Sequence, residues 1–352
     1  MARVLGSVVA VAALMTMSVM ASAQTAVTIA HGSNQVEITH PGLYLPRTLG
    51  WAKEEGLDVT VQTTAGSQQA LQLLAAGRAD FITVNPETII NARDQGVKAK
   101  IVYSMVTKYS AQIASLADGP VKTVADMKGT QVGVFSLQSG GVPFLKAVLR
   151  EAGLNPDTDV KMVPTGAGAP GLQALNSGTV SAIALWAGAF AVYENQGAKL
   201  RIFTSSRLSA APGYILATSE EVLATKPDLV AKMGRVFAKA GVFAMANPNA
   251  AVEAYWVAYP QAKPMPMSDK AFADAKHVLE VGVRDMAVAD RPDKRWGWTN
   301  PQGIEVLQAY LVENGARQTV LPGGEIFAND HVAAYNQFDA AAVQNQAKAY
   351  KP

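Results

Sequence analysis

Gly166, Gly168 and Gly171, in TGAGAPG, have the spacing G-x-G-x-x-G. Between a strand and a helix, that spacing lets backbone approach a pyrophosphate and seat it on a helix N-terminus. An apolar run, Val160 to Val163, precedes the turn, and Glu194 stands roughly where a ribose-binding acid belongs. Three features argue against a dinucleotide. Pro170 sits inside the turn, the following helix is barely two turns long, and the turn follows the second strand of its unit instead of the first. What remains is general: the free N–H groups and dipole of a helix start favour an anionic or hydrogen-bond-accepting group by about 0.3 to 2 kcal/mol.

Other chemistries are thinly provided for. The chain has no cysteine, which excludes disulfides, thiol catalysis, thiolate metal sites and a lipid-bearing cysteine. The four histidines, His31, His40, His277 and His331, show no H-E-x-x-H spacing, so no zinc site is expected. There is no serine elbow, P-loop or paired-carboxylate cluster. The sequence therefore predicts no catalytic residue, no cofactor and no metal.

Those candidates need a scaffold, and the composition supplies one. The 352 residues are 49% hydrophobic and 16% charged, enough for two lobes with cores of their own. Thirty basic residues nearly balance 28 acidic ones, with no basic block, so nucleic acid is not an expected partner. MARV, the apolar run to Met20 and Ala21-Ser22-Ala23 before Gln24 read as a cleaved secretory signal peptide over 1–23. The expected product is periplasmic, without a lipid anchor, and monomeric.

The chain also repeats itself. DVTVQTTAGSQQALQLLAAGRADFITVN (58–85) aligns without a gap on DVKMVPTGAGAPGLQALNSGTVSAIALW (159–186) at an offset of 101. Upstream, EEGL (54–57) corresponds to EAGL (151–154). Each copy reads as strand, polar turn, helix, glycine stop, strand. Gly166 and Gly171 face Ala65 and Ala70 in the sister copy, which has no G-x-G-x-x-G. Helix starts near His40 and Pro41, Ser67 and Gln68, Ser139 to Val142, and Gly168 to Gly171 could converge on one small ligand. A long helical region follows residue 227, with start signals at Asn249 or the Asn-Pro before it, at Ser268 and at Asn300. It has no strands of its own and needs a sheet to cover. The economical topology is discontinuous: 24–115 plus 215–352 as one lobe, 120–210 as the other, and a hinge near 112–119 and 211–218. RWGWTN (295–300) reads as local packing under the C-terminal helices.

Six segments in this order resemble the periplasmic solute-binding proteins of ABC importers, in the taurine, alkanesulfonate, nitrate and thiamine-pyrimidine-precursor branch. They are YLPRTLGWAKEEGLDVTV, ALQLLAAGRADF, VKTVADMKGTQVGVF, REAGLNPDTDVKMV, ALNSGTVSAIALWAGAF and KPDLVAKMGRVFAKAGVFAMANP. The resemblance implies an α/β, two-lobed periplasmic-binding-protein type II fold, each lobe a mixed sheet flanked by helices, closing on one small solute. It also implies an inner-membrane permease and ATPase as partners. The implied solute is a small organic molecule, anionic or planar, aromatic or sulfonate-like. A solute sensor for a membrane receptor and a pyrimidine-synthase-like enzyme are the alternatives, the second disfavoured by the missing cysteines.

Carried over residue by residue, the resemblance implies ligand contacts from His40 and Tyr44, Ser67 and Gln68, and Asn85 in the first lobe. In the second they are Ser136, Ser139, Gly140 and Trp186, with Tyr214 (and, more weakly, Tyr109) near the crossings. Asn85 and Trp186 occupy the same repeat position and are expected to face each other. Two departures stand out: WAGAF lacks the proline common after the tryptophan, and no arginine is evidently aimed at the cleft, since Arg47 lies within a helix.

Overall fold

The computed structural model describes residues 24–288 and 293–352. The signal-peptide segment lies outside the described residues. No helix among them is long and apolar enough to cross a membrane.

Among the described residues, ten strands form two five-stranded sheets. In chain order they are β1 (Thr25–His31), β2 (Leu57–Thr63), β3 (Phe81–Val84), β4 (Ala99–Ser104), β5 (Ala111–Leu116), β6 (Thr130–Val134), β7 (Val160–Pro164), β8 (Ala182–Trp186), β9 (Leu200–Phe203) and β10 (Ile215–Ser219). The first sheet is ordered β2-β1-β3-β10-β4 and the second β7-β6-β8-β5-β9. In each, the first three strands run parallel, and the strand contributed from the far side of the crossing runs antiparallel. The two orders are the same pattern written twice, as the 101-residue repeat predicts. Helices of the repeat keep the offset: Ser67–Ala75 answers Ala169–Asn176, and Pro86–Ala92 answers Ala187–Asn195. Both short helices stop at left-handed glycines, Gly77 (φ 65°) and Gly178 (φ 72°), a conformation that costs glycine little.

The crossings lie upstream of their expected positions. Ala111–Leu116, placed by the sequence reading at the first lobe's end of the hinge, is already a strand of the second sheet, pairing with β8 and β9. The chain therefore passes between sheets at 105–110 and 204–214. The two passages touch: Gly213 N–H donates to Val106 O at 3.0 Å, and Val106 N–H donates to Tyr214 O at 3.1 Å. An apolar strand such as AQIASL is buried on both faces in either sheet, so its pattern cannot say which sheet holds it.

The C-terminal helices cover the first sheet. Helix Pro227–Ala246 buries Met233, Val236, Phe237 and Phe243, and Trp296 of RWGWTN packs over Gly241 in the same helix. Asn247, Ser268 and Asn300 cap the following helices by accepting from backbone N–H groups. Two of these helices also reach the second lobe. Asn195 Nδ2 donates to Asp274 O at 3.0 Å, and Tyr310 OH donates to Glu151 Oε2 at 2.6 Å.

Candidate functional site

Each sheet ends its parallel strands at the same cleft, where a doubly wound arrangement exposes loops and helix starts. The cleft encloses about 720 Å³, part of it open to solvent, and takes its lining from both lobes. From the first lobe come Gly32, Ser33, Glu37, Thr39, His40 and Asn85. The second supplies Phe135, Ser139, Trp186, Ala187 and Gly188, and the crossings supply Val106, Ser110 and Tyr214.

The two walls differ in chemistry. β1 ends at His31, which is fully buried, and the loop beyond it turns Glu37 and His40 back toward that histidine. Glu37 Oε2 lies 3.2 Å from both His31 Nε2 and His40 Nδ1, while Ser33 Oγ donates to Glu37 Oε1 at 2.7 Å. Behind them, His31 Nδ1 meets Thr83 Oγ1 at 2.8 Å, and Tyr214 OH donates to Thr83 O at 2.8 Å. Burial alone would push the Glu37 carboxyl up; the hydrogen bonds from His31 and His40 outweigh it and hold the group well below the usual carboxylate range. Burial pushes the His31 imidazole down. Glu37 is thus held as a carboxylate facing the cleft, with the buried His31 imidazole behind it.

The second-lobe wall is aromatic and uncharged. Trp186 ends β8 and stands before helix Ala187–Asn195, and its ring meets Phe135 edge-on at 5.7 Å. No lysine or arginine lines the cleft among the described residues; its fixed charges are the carboxylates of Glu37 and Asp285.

At the rim the lobes touch directly. Ser136 Oγ donates to Ala65 O at 2.8 Å, and Gln68 N–H donates to Gln138 O at 3.3 Å. Glycine is required where they meet: a Cβ on Gly140 would stand 2.8 Å from Asn85 and from Ser67 Oγ, and one on Gly188 2.8 Å from Thr39 Cγ2. This is a closed arrangement.

Of the residues singled out in the sequence, His40, Asn85, Ser139, Trp186 and Tyr214 line the cleft. Ser67, Gln68, Ser136 and Gly140 lie at the rim, engaged across it. Tyr44 does not reach the cleft. Its ring packs on Tyr255 at 5.2 Å and its hydroxyl donates to Ile38 O at 3.0 Å, because the short helix it precedes turns that side into the core. Tyr109 packs on Phe144 with its hydroxyl buried. Gly168 lines an apolar recess that adjoins the cleft at Glu37, Thr39, Trp186 and Gly188, and Gly171 is glycine because the Tyr193 hydroxyl crosses it. Gly166 and Gly168 adopt positive φ (69° and 78°), so backbone conformation accounts for two of the three glycines of the G-x-G-x-x-G turn and packing for the third.

Sequence reasoning missed His31, Glu37, Thr39 and Phe135, and it missed the last turn of helix Asp269–Arg284, which brings Gly282 against Thr39 and Asp285 to the cleft. It also expected no metal cluster. Yet one donor atom from each of His31, Glu37 and His40 lies within 4.8 Å of the others. The only available signal was their crowding within ten positions after β1, in a loop spacing that matches no regular element.

Comparison with known proteins agrees with this architecture. The chain is 27% identical to the Bacillus subtilis protein YtlA over 169 residues, 46% of this chain, and spans half of that protein's length. Among solved structures, a protein from Bordetella bronchiseptica RB50 superposes with a TM-score of 0.72 at 20% identity, covering 89% of this chain and 98% of that one. The periplasmic aliphatic sulphonate binding protein SsuA from Escherichia coli gives 0.60 at 18% identity, covering 85% and 91%. The desulfurization enzyme DSZB gives 0.53 at 13% identity, covering 88% and 98%. At such identities these likenesses establish the shared two-lobed α/β fold. The family model described as NMT1/THI5 like matches residues 37–251, well over half of the chain, and the chain belongs to that family.

Proposed function

We propose that this chain is the extracytoplasmic solute-binding subunit of an ABC uptake system. In this reading it acts as a periplasmic monomer that captures one small organic solute between its lobes and presents it to an inner-membrane permease. The observation that carries the reading is the cleft itself. Two sheets of the same topology bring their strand ends to one cavity, which each lobe lines with different residues, and the lobes meet at glycines. Lobe closure around a solute is the mechanism such a hinge serves. The sulphonate in the name of SsuA makes sulfonates a starting point for the ligand search.

The lining narrows the solute. Trp186 and Phe135 offer a wall for a planar molecule, with Ser139 beside them; His40 and Asn85 offer polar groups opposite, and Tyr214 one at the crossing. Glu37 and Asp285 face an anion unfavourably, so an anionic solute needs a cation to accompany it.

Catalysis is not part of this reading. The lining serines are Ser33, Ser110 and Ser139, and among the described residues none hydrogen-bonds a histidine, as an activated nucleophile requires.

The test is a thermal-shift screen of the chain from Gln24 against sulfonates, nitrate, aromatic acids and pyrimidines. A solute at a hundred times its dissociation constant adds about 2.7 kcal/mol of stability. Stabilisation by one class, with a smaller radius of gyration on binding, is the expected result. A broad library without a single stabilising solute would reject the reading.

A further inference from the structure

Among the described residues no lysine or arginine lines the cleft, and its first-lobe wall holds the groups that would bind a cation. We propose that His31, Glu37 and His40 form a site for a late first-row divalent metal ion, zinc above all.

The geometry carries the proposal. Charge-assisted N–H to carboxylate hydrogen bonds close to about 2.7–2.9 Å. Here both imidazole nitrogens stand 3.2 Å from the same oxygen, Glu37 Oε2. That separation is close to the edge, roughly 3.3 Å, of a tetrahedron whose metal–ligand bonds are about 2.0–2.1 Å. The third edge, between the two imidazoles, lies within the 4.8 Å that bounds all three donors.

The donors are also held from behind in the way metal ligands are. Thr83 Oγ1 occupies the far nitrogen of His31 at 2.8 Å and fixes the ring. Ser33 Oγ takes Glu37 Oε1 at 2.7 Å and leaves Oε2 to the cluster. Such outer partners orient ligands and fix tautomers.

Two imidazoles and one carboxylate suit zinc, nickel or copper, whereas calcium and magnesium favour all-oxygen sites. The side chains of His40 and Glu37 are 11% and 12% exposed and line the cleft, while that of His31 is wholly covered. The ion therefore sits against the wall with its remaining coordination facing the cavity. There a water or a donor atom of the solute completes it, and the ion supplies the charge an anionic solute lacks. Only this last point rests on the cleft being the solute site; metal binding does not.

The experiment titrates the EDTA-stripped chain from Gln24 with Zn²⁺ by calorimetry and with Co²⁺ by visible absorption. Glu37→Gln, His40→Ala and His331→Ala are run alongside. The proposal expects one equivalent of metal in the wild type and in His331→Ala, with the intense Co²⁺ band of a four-coordinate site. It expects Glu37→Gln and His40→Ala to lose at least the roughly 100-fold in affinity that disturbing even an outer-shell partner reaches. Circular dichroism in EDTA checks each fold, and His40→Gln replaces His40→Ala if the latter unfolds. A wild type that takes up no equimolar metal, or variants that bind as well as it does, would overturn the site and leave a hydrogen-bonded carboxylate in its place. Solute stabilisation in EDTA without zinc uptake rejects the metal site and spares the transport reading. Zinc uptake with no stabilising solute does the reverse.

Discussion

The two lobes share a strand order and a repeat offset, yet they put different chemistry at equivalent positions. Asn85 and Trp186 occupy the same place, each at the end of the sheet's third parallel strand, and one is a polar amide where the other is an indole. His40 answers Gly141, and Glu87 answers Gly188. The doubled architecture therefore fixes where a cleft forms and leaves what lines it free to vary. In this chain the first lobe took the titratable groups and the second took the aromatic wall. The difference implies a solute held by its polar end on one side and by its plane on the other.

The most forceful way to probe that asymmetry is Glu87. Its carboxyl is fully buried with no side-chain partner for either oxygen among the described residues, and burial pushes it up to about 8. A folded value above the unfolded one means the native state keeps a proton that the unfolded chain gives up. Stability is then full below about 4.5, falls as the pH rises toward 8, and levels beyond, by on the order of a few kcal/mol in all. Glu87→Gln should abolish most of that slope in urea unfolding between pH 5 and pH 8. Parallel profiles for the two proteins would show that Glu87 ionises freely.

Trp186→Ala removes the planar wall. Affinity for any stabilising planar solute should fall by about 3 kcal/mol while the ligand-free melting temperature changes little. Equal affinity would move the solute to the first lobe alone.

Gly140→Ala places a methyl against Asn85 and Ser67 across the rim between the lobes. It should cost about 2 kcal/mol of closure, visible by small-angle scattering as a ligand-bound radius that stays close to the free one. A normal contraction on binding would mean the contact relaxes.

Ser136→Ala, which deletes one hydrogen bond across the rim, should weaken binding by about 1 kcal/mol through a faster off-rate. An unchanged off-rate would make that bond incidental to closure.

Much of this was legible in the sequence because repeats and apolar periods are local signals. The offset of 101 anticipated two similar α/β units, and the family resemblance, with the repeat's equivalent positions, placed Asn85 and Trp186 at the cleft. The hinge was displaced because the pattern of AQIASL fits either sheet. Tyr44 was misplaced because an aromatic residue entering a four-residue helix gives no period from which to tell core from cleft. The His31, Glu37, His40 cluster escaped because it is made by an irregular loop folding back on a strand end, and no motif spacing describes that. The contribution of Gly282 and Asp285 came from a helix in a distant part of the chain, a contact that only the tertiary fold creates.

The central claim is that one solute touches both walls. The direct test is calorimetry of the first stabilising solute against wild type, His40→Ala and Trp186→Ala, one variant from each lobe, at fixed zinc concentration. We expect both substitutions to weaken binding by at least tenfold. Full affinity in either variant would contradict a solute shared between the lobes.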